Sequence, residues 1–287
     1  MTHIAQPETR RADLARYGVL HAPRRVEVLH ARFQQHRFGE HAHDGWALGA
    51  VLSGAKDIAP RAGQPNRLAR GDVYALAPHQ AHAGKTVGEA GCEYAMIYVP
   101  DAEWRLQCAA RGMPAGWLSS AAAAHAPLSD HVRAFVALAL QHPQRLATWP
   151  GEWQLFWDGV WARWGAAQQA PGAPPAAPDW RVERAREYLR AHYADEVTLD
   201  TLAQAASLSV FALCRKFAAA YGLSPHRYQL VLRVHEAKAR LLRGGAIGDV
   251  AADTGFADQS HLGRHFKSLL GITPGAVARQ AARARTF

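Results

Sequence analysis

Two sets of residues in this 287-residue chain have types and spacings suited to chemistry. His41 and His43 stand one residue apart, so on a strand both project from one face, and His82 on a second strand could complete a three-imidazole metal face. The second set lies far downstream. Phe211, Arg215 and Ala218 recur at helical spacing, as do Ser260, Arg264 and Lys267, with Cys214, Gln259 and Gly263 beside them. Arginine can hold guanine O6 and N7 through two bonds, glutamine can pair with adenine N6 and N7, and an aromatic ring can touch a thymine methyl. The competing readings are an arginine that only meets phosphate or solvent, and a Phe211 that packs in a core. No Ser-His-Asp set, Gly-rich phosphate loop or paired carboxylates stands out.

The downstream residues are positioned by an internal repeat. Leu213-Cys214-Arg215-Lys216-Phe217 followed by Gly222-Leu223-Ser224-Pro225 matches Leu262-Gly263-Arg264-His265-Phe266 followed by Gly271-Ile272-Thr273-Pro274. Each copy parses as helix, tight turn, helix. Thr198 and Ser209 cap the first pair; Asp249 opens the second, Gly255 makes its turn, and Asp258 caps its second helix. Leu213, Phe217, Ala220 and Tyr221, with their counterparts Leu262, Phe266, Leu269 and Leu270, form core stripes. Ser224-Pro225 and Thr273-Pro274 start further helices, the first running from Pro225 to about Arg243 as a rigid spacer between the units.

Charge follows the same division. The net charge is +9; from Asp179 onward 16 Lys+Arg face 10 Asp+Glu, an excess of six, against three in the first 178 residues. A basic excess suits a polyanion partner. Gln168 to Pro178 has four prolines and no periodicity, and reads as an exposed linker. Three cysteines without C-x-x-C spacing indicate neither disulfides nor structural zinc. No apolar run is long enough for a bilayer and the first residues lack signal-peptide layout, so a cytoplasmic location and no membrane partner are expected.

The run Gly248 to Lys267, ending in Gly271-Ile272-Thr273-Pro274, resembles the signature of the AraC/XylS family of transcription regulators, and the likeness covers essentially 179–287. It implies two recognition helices in adjacent major-groove segments of double-stranded DNA. The residues it points to as DNA-binding are Phe211, Cys214, Arg215 and Lys216 in the first helix and Gln259, Ser260, His261, Arg264 and Lys267 in the second. Family habit implies activation, with RNA polymerase as a partner.

Upstream, short runs such as Ala47–Leu52, Asp72–Leu76 and Tyr94–Val99, set between turn residues, read as strands. His41-Ala42-His43, Gly54, Gly71, Pro78 and His82 resemble the two motifs of a cupin barrel, which implies an effector-binding domain. His41, His43, Trp46, Tyr74, His82 and Tyr98 are its expected pocket, for a small polar or aromatic molecule. Metal is the lesser reading, because Ala47 stands where metal-binding cupins carry Glu; the expectation is no cofactor and no catalytic residue. Two helical stripes follow, Leu128, Val132, Phe135, Ala139 and Trp153, Phe156, Trp157, Val160, Trp161, Trp164, the second suited equally to packing on the barrel and to a homodimer face. The expected architecture is α+β and multidomain: a cupin-like β-barrel (1–125) with accessory helices (126–168), a linker (169–178), and an all-α domain of two helix-turn-helix units (179–287). The expected function is a ligand-responsive, sequence-specific DNA-binding regulator. A metal-binding enzyme or metal sensor fused to a DNA-binding domain is the alternative, and a non-specific architectural DNA protein is disfavoured by the unlike recognition helices.

Overall fold

The computed structural model describes residues 12–20, 26–60, 65–142, 150–165 and 179–284. The whole of the proline-rich stretch expected as a linker lies outside the described residues. The first half is an antiparallel sheet of β1 (Leu14–Leu20), β2 (Val26–Phe33), β3 (Arg37–His41), β4 (Trp46–Pro60), β5 (Asn66–Ala69), β6 (Asp72–Leu76), β7 (His82–Val99) and β8 (Ala121–Ala124). Its order is β1-β2-β7-β4-β6-β8, with β3 on β7 and β5 on β4. The long β4 and β7 pair along most of their length, with register shifts between Val51 and Ser53 and between Gly54 and Ala55. There Gly54 and Gly91 adopt φ of +68° and +71°. A Cβ on Gly54 would stand 1.9 Å from the Gly91 carbonyl oxygen, so only glycine fits and the bulge can bend the ribbon.

Strand alternation assigns the two faces. Trp46, Leu48, Ala50, Val73, Ala75, Ala95, Ile97 and Val99 belong to an outer core covered by α1 (Asp101–Ala109), α2 (Ala126–Gln141), α3 (Pro150–Val160) and a π-helical turn (Trp161–Gly165). Both expected stripes serve this layer: Leu128, Val132, Phe135 and Ala139, and Phe156, Trp157, Val160 and Trp164, are buried. Trp153 and Trp161 of the same stripe are half-buried against this core, so the tryptophan-rich helix joins the layer over the sheet without burying its whole face. One expectation is corrected here. Trp46 stacks on Trp104 at 4.1 Å on the outer face, so strand parity turns it away from the pocket in which it was expected.

The second half is helical: α4 (Trp180–Ala191), α5 (Leu199–Ala205), α6 (Val210–Tyr221), α7 (Pro225–Leu242), α8 (Ile247–Asp253), α9 (Gln259–Leu270) and α10 (Pro274–Ala284). Side chains of Asp179, Thr198, Ser209, Ser224 and Asp258 accept from backbone N–H groups at the starts of α4, α5, α6, α7 and α9. Gly222 and Gly271, with φ of +71° and +80°, close α6 and α9 identically. Asp249 does not cap: α8 begins at Ile247 behind Ala246, and Asp249 sits in the first turn, where its charge still favours the helix dipole. The core of the helices is continuous with the inner face of the sheet, since Tyr17, Phe33, Tyr74, Tyr94 and Met96 share one apolar cluster with Leu213, Phe217, Val231, Val234, Leu262 and Phe266.

Candidate functional site

α6 and α9 present their outer faces as the repeat requires. Phe211 is 78% exposed, which removes the core-packing reading, and the Arg215 guanidinium lies 6.0 Å from its ring centroid. Arg215 is exposed and Cys214 half-buried; on α9, Gln259, Ser260, Arg264 and Lys267 are all exposed. The other two residues are more occupied. Lys216 is tied to Asp179 at 2.6 Å, and the half-buried His261 ring packs edge-on against Phe256 and His265, at 5.5 and 4.9 Å. α7, at 18 residues, spans roughly 27 Å between the two units, comparable to the ~34 Å between successive major-groove faces.

Beneath these helices lies a cavity of about 660 Å³. One wall is the inner face of the sheet, with Tyr17, His41, His43, Lys56, Tyr74, His82, Tyr94 and Tyr98; the opposite wall is α7, through Tyr228, Val231, Leu232, His235 and Lys238, helped by Arg186 and Arg190 of α4. Five of the six residues expected in the pocket are therefore together, Trp46 being the exception. The rest escaped notice for a definable reason. Tyr228, Val231, His235 and Lys238 follow i, i+3, i+7, i+10, a second stripe on a helix that otherwise reads as a spacer.

Electrostatics inside the cavity are unusual. Lys56 is 6% exposed; its ammonium lies 3.9 Å from the Tyr94 ring centroid and donates to Tyr74 Oη at 3.3 Å. Among the described residues it has no carboxylate partner, and burial pulls its pKa down to about 8. Lys238 is neutralised by Glu27 of β2 and lies over the Tyr17 ring. Burial also lowers His41 to about 4 and His82 to about 3, and drives His43 well below its usual range, so all three imidazoles are neutral at pH 7. Each wall is pinned to the other: Arg190 pairs with Asp44 at 2.5 Å, Tyr228 Oη donates to Asp44 at 3.2 Å, and Arg227 Nε donates to the Glu40 carbonyl at 2.8 Å. The segment 40–44 thus carries two of the histidines and both contacts to α7.

Residues 25–148 match the AraC-like ligand binding domain, and residues 202–280 a helix-turn-helix domain. The transcriptional activator RhaS of Pectobacterium carotovorum is 28% identical over 266 residues, 88% of this chain and 92% of that one. The uncharacterized regulator YbfI of Bacillus subtilis is 38% identical over 85 residues, so the chain spans only 31% of its length. Among solved structures, ToxT from Vibrio cholerae superposes with a TM-score of 0.61 at 10% identity, covering 94% of this chain and 98% of ToxT; an unsaturated fatty acid-bound form gives 0.57 at 12%, covering 94% and 95%. Among the described residues no helix is long and apolar enough to cross a membrane.

Proposed function

The chain belongs to the AraC family of transcription regulators, DNA readers rather than enzymes, and from that premise we propose that it activates transcription under control of a carboxylate effector held between its two halves. The observation that carries this reading is that the wall of the cavity is α7, the helix that sets the spacing of the two units. A ligand regulates only by its differential affinity for two arrangements. One that fills 660 Å³ against Val231, Leu232 and His235 bears on the spacer itself, without a long relay.

The effector's chemistry follows from Lys56. A buried ammonium with aromatic walls and, among the described residues, no carboxylate partner favours a ligand that brings one negative charge and an apolar body. A fatty acid in ToxT is a precedent for such a molecule in this fold. In this reading Phe211, Arg215, Gln259, Ser260 and Arg264 meet base edges, with Cys214 and His261 at the margin and Lys216 and Lys267 beside phosphates. The protein works in the cytoplasm, beside RNA polymerase. A homodimer face on the same helices remains part of this reading, since Trp153 and Trp161 are only half-buried and Leu155 beside them is 51% exposed.

The test is footprinting of the full chain on an operator selected from random DNA, with and without aliphatic and aromatic carboxylates. Two protected major-groove segments about one turn apart are expected, with occupancy altered by at least one carboxylate class. A single short footprint sinks the two-reader arrangement; occupancy indifferent to every carboxylate sinks the effector reading.

A further inference from the structure

Three imidazoles converge at the sheet wall of the cavity. One ring nitrogen from each of His41, His43 and His82 lies within 4.8 Å of the other two, and the ring centroids are 4.4 to 5.1 Å apart. The protonation of two of them is fixed by their neighbours. His41 Nδ1 is 2.8 Å from the Gly39 carbonyl oxygen and His82 Nδ1 is 2.9 Å from that of Gln80. A carbonyl oxygen only accepts, so each Nδ1 carries the proton and each Nε2 is left as a bare lone pair. That anchoring satisfies the buried N–H groups and leaves the two free Nε2 lone pairs as the atoms able to bind a cation. Carbonyl anchoring of the distal ring nitrogen is the usual outer support of a metal-bound imidazole.

We propose that His41, His43 and His82 bind a divalent first-row transition cation, zinc being the working example, with its remaining coordination positions open to the cavity. Neutral imidazoles without carboxylates suit zinc, iron, nickel or copper and reject magnesium and calcium. Geometry is within reach. Imidazole nitrogens around tetrahedral zinc stand about 3.3 Å apart at ~2.0–2.1 Å from the metal, so the rings must close by roughly 1.5 Å at most from the 4.8 Å seen here. The absence of glutamate at Ala47, which counted against metal in the sequence, has a different meaning in the structure. Ala47 is wholly buried on the inner face, and no fourth protein donor joins the cluster among the described residues. Three histidines with open positions are how proteins hold a metal that receives an exogenous ligand.

The proposal stands apart from the carboxylate reading, because metal is measured here without DNA or effector. Chelator-stripped full-length protein is titrated with Zn2+ and with Co2+, following heat and the visible absorption of bound Co2+. One equivalent per chain is expected, retained through desalting. His41→Ala and His82→Ala should each weaken binding by at least about 100-fold, while His30→Ala, on a histidine paired with Glu93 outside the cluster, leaves it unchanged. X-ray absorption of the zinc-loaded wild type should count three imidazole ligands, a measurement that does not depend on the variants folding. No tight equivalent, fewer than three imidazoles, or binding unmoved by both cluster substitutions overturns the site.

Discussion

Replacing Lys56 with methionine separates the cost of its charge from its use. The folded-state pKa is about 8 against 10.5 for a free lysine. Each pH decade between them is worth 1.36 kcal/mol, so holding Lys56 charged costs the fold on the order of 3 kcal/mol. Methionine keeps the unbranched stem and an attractive contact with the Tyr94 ring, but leaves Tyr74 Oη without its donor, a loss of about 1 kcal/mol. The net expectation is that Lys56→Met is about 2 kcal/mol more stable than wild type at pH 7. The sign of the pH dependence follows. Between about 8 and 10.5 the unfolded chain binds more protons than the fold, so wild type gains stability with rising pH and the gap to the variant closes; below about 8 the gap is constant. Urea unfolding of both proteins from pH 7 to 10.5 measures it, and taking the difference cancels the buried tyrosines, which ionise in both. A variant less stable than wild type at pH 7, or a gap indifferent to pH, refutes the reasoning. The same variant should lose its carboxylate response while keeping its operator.

Two further outcomes test the reading face and the fold. Arg264→Ala should weaken operator binding by about 1 to 3 kcal/mol and relax preference at one position, read by binding to a library of single-base operator variants; an equal loss on all sequences would assign it to phosphate. Gly54→Ala should destabilise by several kcal/mol in denaturant unfolding, since its Cβ meets the Gly91 carbonyl at 1.9 Å at a φ of +68°; a loss below about 1 kcal/mol would mean that the bend relaxes.

The helical half was legible because its determinants are local. A capping side chain, a left-handed glycine and an apolar stripe each act within one or two turns, and the repeat states them twice, at Ser209, Leu213, Phe217 and Gly222 and again at Asp258, Leu262, Phe266 and Gly271. Asp249 misled because α8 starts two residues earlier than its only polar candidate. The sheet was legible as strands but not in its faces. β3 ends at His41, so His43, expected on one strand with it, stands in the loop before β4, and spacing from His43 to Trp46 across that break carries no parity. Lys56 gave no signal at all, since a lysine in a strand reads as solvent-facing until the bend of β4 closes over it. The far wall of the cavity is non-local by nature: nothing near His235 announces that it will face His43, nearly two hundred residues earlier.

The continuous core between the sheet's inner face and the helices has a consequence for how the protein comes apart. Phe33 touches the turn at Gly271, where an added Cβ would stand 2.4 Å from its ring, and Gln280 of α10 exchanges hydrogen bonds with the backbone of Tyr17. The sheet and the helices are therefore expected to melt as one cooperative unit, and two separate calorimetric transitions would contradict that coupling. A molecule that binds the folded form in the cavity raises the melting temperature of the whole chain, DNA-reading helices included. Thermal shift thus becomes a direct screen for whatever the cavity was built to hold, with no promoter required.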